Sequence, residues 1–184
     1  MLGAQLKATE PYYTSEDYYK LQDETRYELS DGVLYAMSSP GRLHQEVSFE
    51  LGGQIRNFLM GKSCKGYADF NVQLFENKDK IYRPDLFIVC DKKKITDKAI
   101  IGAPDFVIEI YSDSSGGVDM LEKRRMYEKA GVREYWIIAD IDYILTYLLN
   151  DEGLFCETAY RGERLTIPVK TFPGLTLDFS GFFE

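Results

Sequence analysis

The chain has 184 residues and a mass of 21.2 kDa, so its length predicts a single domain over residues 1–184. Its composition, 45% hydrophobic and 28% charged, is that of a globular protein and excludes wholesale disorder, collagen-like repeats and coiled-coil rods. The 30 acidic and 22 basic side chains give a net charge of −8, which argues against a protein that coats nucleic acid through its overall field. A nuclease stays compatible with this charge, because a metal site needs clustered carboxylates and a local basic strip can still hold phosphates.

Targeting signals and cysteine motifs are missing from the sequence. It contains no apolar run near the ~18 residues of a membrane span, and its first residues lack the basic flank and apolar centre of a secretion signal. We therefore predict a cytoplasmic protein without a membrane segment. The three cysteines, Cys64, Cys90 and Cys156, form no Cys-x-x-Cys pair, and we expect all three to be buried reduced thiols without a function.

The first half of the chain predicts two helices around a hairpin. A hydroxyl cap followed by acidic residues predicts a short helix over residues 15 to about 22. Alternating apolar residues on both sides of Ser30-Asp31-Gly32 predict a β-hairpin. Apolar residues then recur at three- and four-residue steps over residues 44 to about 60, which predicts an amphipathic helix that packs on a sheet.

Strand patterns dominate the second half. Alternation over residues 67–74 predicts one strand with a polar face, and the continuous apolar runs at 86–89 and 106–110 predict central strands covered on both faces. Residues 118–130 predict a helix that stops at Gly131. Strands at 135–138 and 143–149, followed by short strands or loops, complete an α/β layer structure with a mixed sheet.

Two acidic residues lie in or beside predicted strands that are so apolar that a charge there would cost free energy. Asp85 precedes the run at 86–89, and Glu109 lies inside the run at 106–110. An unpaired buried carboxylate costs several kcal/mol, so it needs a cation, hydrogen bonds or protonation. A shared divalent metal meets that need, since Mg²⁺ takes one or two carboxylates plus waters and phosphate oxygens. An ion pair with Arg83 or another base is the alternative.

A lysine, a histidine and two arginines are the further candidates. Lys123 shares a helical stripe with Asp119 and apolar residues, so its ammonium is predicted to point toward the protein or its cleft. There it would orient a water or stabilise a transition state, unless it only pairs with Asp119. His44, the one histidine in the chain, is either a structural group or part of the cleft. Arg124 and Arg125 belong either to a strip that binds nucleic acid or to a solvated helix face.

Several segments occur together in the order and spacing of one family. They are Tyr27-Glu-Leu-Ser-Asp-Gly-Val33, His44 before its helical stripe, Arg83-Pro-Asp85, Ala103-Pro-Asp-Phe-Val-Ile-Glu109, Asp119 with Lys123, and Tyr127 through Gly131-Val-Arg-Glu-Tyr-Trp136. On these segments the chain resembles the Uma-two family of endonucleases, a branch of the PD-(D/E)xK restriction-like superfamily. The resemblance covers nearly the whole chain, and the Gly-Val-x-Glu-Tyr-Trp segment after a helix is its most specific piece.

The resemblance implies a restriction-endonuclease-like α/β (α+β) core, with a mixed central β-sheet flanked by helices. It also implies that Asp85 and Glu109 hold Mg²⁺, which Mn²⁺ can replace, with help from the carbonyl of Ile110. The superfamily places a lysine two residues after the acid, whereas this chain has Tyr111 there. The family resemblance implies that Lys123 reaches the same place, so catalysis depends on that replacement.

The sequence thus predicts a Mg²⁺-dependent phosphodiester hydrolase acting on DNA. Beyond the metal ligands and Lys123, the expected secondary cleft residues are His44, Gln73, Tyr111 and Asp119. The expected contacts to nucleic acid are Arg124 and Arg125. The alternative is a nuclease-fold module that binds nucleic acid or a protein partner without cutting, which Tyr111 and the charge of −8 favour. The oligomeric state stays open, although a homodimer would let two sites address both strands of a duplex.

Overall fold

The structure is a computed structural model that describes residues 11–76, 79–111 and 118–183. In these ranges the helices are α1 (Ser15–Tyr18), α2 (Arg42–Leu59) and α3 (Met120–Ala130), with short 3₁₀ helices at Lys92–Lys94 and Ser180–Phe183. The strands are β1 (Tyr27–Ser30), β2 (Val33–Ala36), β3 (Lys65–Ala68), β4 (Val72–Gln73), β5 (Lys80–Tyr82), β6 (Leu86–Val89), β7 (Ile100–Ile101), β8 (Phe106–Ile110), β9 (Glu134–Asp140), β10 (Tyr143–Leu149), β11 (Phe155–Arg161), β12 (Thr166–Pro168) and β13 (Thr176–Asp178). None of the described helices is both long and apolar enough to cross a membrane.

A six-stranded sheet, in the order β11-β10-β9-β8-β6-β3, lies at the centre of the fold. The β8–β9 pair is parallel and the other pairs are antiparallel, so the sheet is mixed, as predicted. The apolar strands β6 and β8 are buried along their whole length, as predicted for central strands. Because successive side chains point to opposite sides, a hydrophobic core forms on each face of this sheet.

Helices α2 and α3 cover the two faces of the six-stranded sheet. Ile88 and Ile108 of the sheet share one core with the buried stripe of α2, whose members are four residues apart: Val47, Leu51, Ile55 and Leu59. Tyr127 of α3 packs with Val107 in the core on the other face. The predicted amphipathic helix and its packing on a sheet are confirmed.

A second sheet, in the order β2-β1-β5-β4-β7, carries the hairpin predicted around Ser30-Asp31-Gly32. Asp31 and Gly32 have φ angles of 47° and 81°, the left-handed pair that the tightest hairpin turns require. Strand β1 has three buried residues in a row, and one of them is the acidic Glu28. The hairpin thereby brings a carboxylate into the interior.

Two elements are shorter than predicted. Helix α1 ends at Tyr18 rather than near residue 22, because the Tyr18 hydroxyl is fixed by the carbonyl of Tyr27 at 2.8 Å and by Asn71 at 2.9 Å, where the chain turns toward β1. The prediction of one strand over residues 67–74 is wrong, since this segment divides into β3 and β4 in different sheets. Asp69 lies between them with a φ of 45°, which an extended strand cannot contain.

The expectation of three buried reduced thiols is also wrong. Cys64 and Cys90 form a disulfide, and Cys156 is exposed. Cys64 directly precedes β3 and Cys90 directly follows β6, and the register Lys65↔Val89 sets the two cysteines opposite each other on adjacent strands. Their partnership depends on strand register, which the cysteine spacing alone does not reveal.

Candidate active site

Asp85 and Glu109 meet because β6 and β8 are antiparallel neighbours. Leu86 pairs with Ile108, so the same register sets Asp85 opposite Glu109 on one face of the sheet. Side chains opposite each other on such strands have Cβ atoms roughly 4.5–5.5 Å apart. Both carboxylates line a cleft of about 530 Å³ between the sheet, α2 and α3.

Lys123 reaches this cleft from α3 and lies between two buried carboxylates. Its Nζ is 3.0 Å from Oε1 of Glu109 and 2.7 Å from Oε1 of Glu28. The three residues are only 4%, 3% and 0% exposed, respectively. The Tyr127 hydroxyl donates a second hydrogen bond to Glu109 Oε1 at 2.8 Å, so the described bonds to Glu109 converge on one oxygen.

Burial and neighbouring charges shift the pKa values of this group. Burial raises the pKa of Glu109, and the negative charges of Asp85 and Glu28 add to this shift, while Lys123 opposes it. Burial by itself would lower the pKa of Lys123, but Glu109 and Glu28 together raise it above its ordinary value. The ammonium therefore stays charged inside the protein.

Asp85 is fixed by a backbone amide and by His44. The Ile110 N–H donates to Asp85 Oδ2 at 2.7 Å, and His44 Nε2 lies 3.0 Å from Asp85 Oδ1. The hydrogen bond to Asp85 raises the pKa of His44, against the effect of burial. The other ring nitrogen of His44 is buried and has no hydrogen-bond partner within residues 11–76, 79–111 and 118–183.

The donor atoms at this site suit a hard cation. The side chains that the structure describes contain no cluster of three or more histidine, cysteine, aspartate and glutamate residues arranged to hold a metal ion. Mg²⁺ does not require such a cluster, because it takes one or two carboxylates and completes its shell with waters and phosphate oxygens. Asp85 and Glu109 face each other in the cleft, which Ile110 also lines, so the two carboxylates offer oxygen donors to such an ion.

Glu28 is a further residue of the site, which no sequence pattern indicated. Besides Lys123, its carboxylate accepts the backbone N–H of Arg83 at 3.0 Å and that of Val118 at 2.9 Å. It therefore connects the segment before Asp85, the segment before α3 and the lysine itself. An acid that alternates with apolar residues is the ordinary pattern of a half-exposed strand. The signal that could have identified Glu28 was its place in the Tyr27-to-Val33 segment.

Only some of the predicted secondary residues lie in the cleft. Asp119 and Tyr111 line the cleft, and the Tyr111 side chain, at the position of the superfamily's lysine, is 49% exposed. Asp119 also caps α3 by accepting the N–H groups of Leu121 and Glu122. Gln73 lies elsewhere, with its amide donating to the carbonyls at residues 75 and 76, so the structure does not bring it into the cleft.

The predicted basic strip also lies away from the cleft. The guanidinium of Arg124 stacks over the ring of Tyr147 at 5.1 Å, and Arg125 is exposed on the outer side of α3. Arg83, the predicted alternative partner of the two acids, pairs with Asp69 at 3.0 Å. The described ion pairs of Lys123 are with Glu28 and Glu109, so the alternative of a pair with Asp119 is not among them.

Comparison with known proteins places the chain in a family. Residues 15–180 match the model of the Uma2 family, whose description is "Putative restriction endonuclease". An uncharacterized protein of Synechocystis sp. is 27% identical over 158 residues, which is 83% of each chain. A crystal structure of a putative nuclease belonging to DUF820 from Anabaena variabilis matches with a TM-score of 0.74 and 17% identity, over 93% of this chain and 97% of that one. The chain belongs to the Uma2 family, and the predicted fold class is confirmed.

Proposed function

We propose that this member of the Uma2 family is a Mg²⁺-dependent endonuclease that hydrolyses phosphodiester bonds in DNA. The observation that carries the proposal is the convergence in one cleft of Asp85 and Glu109, facing each other from adjacent strands, with the ammonium of Lys123 at 3.0 Å from Glu109. Two carboxylates and a cation are the groups that phosphoryl transfer recruits around a phosphate.

Each residue of the cleft then has a role that follows from its contacts. Asp85 and Glu109 would hold Mg²⁺ with the carbonyl of Ile110, and the chemistry that the ion would supply when bound is charge stabilisation at the phosphate and a more acidic water. Tyr127 and Lys123 hold one oxygen of Glu109, which fixes the orientation of the other. Lys123 also provides a fixed positive charge for the transition state. His44 and the Ile110 amide orient Asp85.

Plasmid cleavage by the purified protein tests the proposal. Nicking or linearisation should require Mg²⁺ or Mn²⁺ and should be abolished in Glu109→Ala and Asp85→Ala. Glu163→Ala changes an exposed glutamate outside the cleft and should cut like the parent. Cleavage that persists in EDTA, or in Glu109→Ala, would overturn the assignment.

A module that binds nucleic acid without cutting is the second candidate. Two observations favour it: Tyr111 occupies the usual lysine position, and the charge of Lys123 is shared between two carboxylates. Such a module would bind an oligonucleotide but leave plasmid intact at every divalent ion tested. Tyr111→Lys would distinguish a site that lacks only the lysine from a site that no longer binds the metal ion. The added ammonium should produce Mg²⁺-dependent cleavage only if Asp85 and Glu109 still bind the ion.

A further inference from the structure

A groove of about 920 Å³ continues from the cleft along the outer side of α2 to the edge strand β3. The groove and the cleft share three lining residues, Gln45, Ser48 and Ala68, so the two form one continuous surface. From Ser48 to Met60 the helix spans about 18 Å at 1.5 Å per residue. That length corresponds to about five nucleotides at the 3.4 Å spacing that one strand has in a duplex.

The groove wall on α2 is a second stripe, separate from the stripe that packs in the core. Its members recur at helical steps and point outward: Phe49, Gly53, Arg56 and Met60. Phe49 is 85% exposed and Met60 is 63% exposed. A Cβ at Gly53 would meet nothing within 4 Å, so the middle of this stripe is open space. The packing of the core does not explain why the aromatic ring of Phe49 is so exposed beside this open groove.

The charges of the groove are opposite in sign to those of the whole chain, which carries −8. Arg56, Lys62 and Lys65 line it, are exposed, and form no ion pair with any other described residue. The acid on this wall, Glu50, accepts a hydrogen bond from Gln54 at 3.1 Å. The groove is thus a local basic surface that joins an acidic cleft.

We propose that this groove binds a single strand of the nucleic acid that enters the cleft, with Arg56, Lys62 and Lys65 on its phosphates and Phe49 stacked on an unpaired base. The inference rests on the proposed function for its choice of ligand. Proteins that bind single strands combine a basic groove with exposed aromatic rings in this way. A second copy of the chain fits less well, because a two-fold contact would set the same cations against each other.

Variants at Gly53 test the proposal without disturbing the fold. Binding of a fluorescent 20-nucleotide single-stranded DNA is measured by anisotropy in the Glu109→Gln background, so that the strand stays intact. Gly53→Glu places bulk and negative charge in the groove and should weaken binding of the DNA on the order of tenfold or more. Gly53→Ala, the matched control, should bind the DNA like the parent. Neither Gly53 variant should have a lower melting temperature than the parent, since each removes a helix-interior glycine.

The cations and the ring are tested separately. Lys62→Gln/Lys65→Gln should reduce the slope of log K against log salt by about 1.4, the value for two phosphate contacts to a single strand. Lys92→Gln/Lys93→Gln removes the same charges from an exposed site outside the groove and should leave the slope unchanged. Phe49→Ala should weaken binding about fivefold or more, Phe49→Leu should not restore it, and Phe49→Trp should.

The outcomes separate this inference from the proposed function. Unchanged DNA binding in Gly53→Glu and in Lys62→Gln/Lys65→Gln would overturn the groove, even if the parent cleaves plasmid. A shift from dimer to monomer in Gly53→Glu, measured by light scattering, with binding unchanged, would assign the groove to a second copy and overturn the inference. Loss of binding in these variants supports the groove even if the parent cuts no plasmid.

Discussion

Lys123 brings one positive charge to two buried carboxylates, so the group formed with Glu28 and Glu109 carries a net negative charge when all three are ionised. Burial raises the pKa of Glu109, and Asp85 adds a further negative charge beside it. Removing a negative charge from this group and removing its positive charge should therefore have opposite effects on stability.

Glu109→Gln should leave the metal-free protein at pH 8 as stable as the parent or more stable, because Lys123 keeps Glu28 as its partner at 2.7 Å. Lys123→Met should lower the free energy of unfolding by about 3–5 kcal/mol, since it leaves two buried carboxylates without a cation. Urea unfolding in EDTA compares the two. Mg²⁺ should then stabilise the parent but not Glu109→Gln. An equal loss of stability in both variants would contradict the metal-site assignment of Glu109.

The site residues that could be predicted from the sequence are those whose charge conflicts with the apolar pattern around them. Asp85 and Glu109 stood out because a carboxylate in an apolar strand needs a partner. Glu28 did not stand out, since an acid in an alternating strand is the ordinary pattern of a half-exposed sheet. Its burial arises from the packing of β1 against the segments at Arg83 and Val118, and that contact is between residues far apart in the chain.

Helix α3 is the element that places Lys123, and each of its ends is fixed by one residue. Asp119 caps the first turn with its side chain. Gly131 ends the last turn with a φ of 86°, and its N–H donates to the carbonyls of Tyr127 and Glu128. The left-handed conformation is the reason for glycine there, because a Cβ would meet nothing within 4 Å.

The same substitution should therefore have opposite effects at two glycines. Gly131→Ala should lower the free energy of unfolding by about 1 kcal/mol, since alanine is strained at positive φ. Gly53→Ala should raise it by about 0.5–1 kcal/mol, since Gly53 lies in the interior of α2 with open space around it. Thermal melting of both variants checks the signs, and a loss at Gly53 equal to that at Gly131 would refute the explanation.

A polar network around the buried side chain of Lys80 joins α3 to the five-stranded sheet. The ammonium of Lys80, only 5% exposed as a residue, lies 2.8 Å from Glu122 and 2.7 Å from Asp31. Ser30 also donates a hydrogen bond to Glu122. Burial alone would raise the pKa of Glu122, but the hydrogen bonds from Lys80 and Ser30 lower it below its ordinary value of 4.5.

Glu122→Gln should lower the free energy of unfolding at pH 7 by about 1 kcal/mol, because the hydrogen bond to the charged Lys80 weakens. A carboxyl whose folded pKa is lowered contributes its stability above the ordinary pKa and loses it as the pH falls through the lowered value. The difference between parent and variant should therefore shrink as the pH falls below that ordinary value and through the lowered one. Urea unfolding at pH 7 and at an acidic pH checks this. Glu16→Gln, in an exposed pair with Lys20, should change little at either pH.

At the scale of elements, length decided what the sequence could predict. The helices α2 and α3 and the strands β6, β8 and β10 carry enough residues for a clear period or apolar run. Strand β4 has two residues, and its separation from β3 depends on Asp69, whose carboxylate pairs with Arg26 and Arg83. Those ion pairs join distant parts of the chain, so no local pattern indicates the break.

The disulfide between Cys64 and Cys90 constrains the molecule as a whole, because it closes a chain segment with a sequence separation of 26 residues. A loop of this length corresponds to roughly 3.5 kcal/mol in the chain-entropy description. Unfolding in urea should shift to lower concentration when dithiothreitol is present. Cys64→Ser/Cys90→Ser should lose that response and Cys156→Ser should keep it. The cytoplasmic location predicted from the sequence would favour the reduced form.

The distribution of charge over the molecule gives a last prediction, on the order in which ion and DNA bind. The carboxylates that line the cleft outnumber the cations Arg26 and Lys123 there: Glu28, Asp69, Asp85, Glu109 and Asp119. Together with the net charge of −8, they should repel phosphates until a divalent ion is present.

Binding of a short DNA duplex should therefore be weak in EDTA at physiological salt, should tighten with Mg²⁺ and should fall steeply with added salt. Asp85→Asn/Glu109→Gln removes the two charges that would hold the ion. This variant should bind in EDTA at least as tightly as the parent and should gain nothing from Mg²⁺, because its cleft repels phosphate less and lacks the ligands. Fluorescence anisotropy in both conditions provides the measurement. Tight binding of the parent in EDTA would contradict the repulsion between the cleft carboxylates and phosphate. An undiminished Mg²⁺ response in the double variant would show that the ion acts elsewhere than between Asp85 and Glu109.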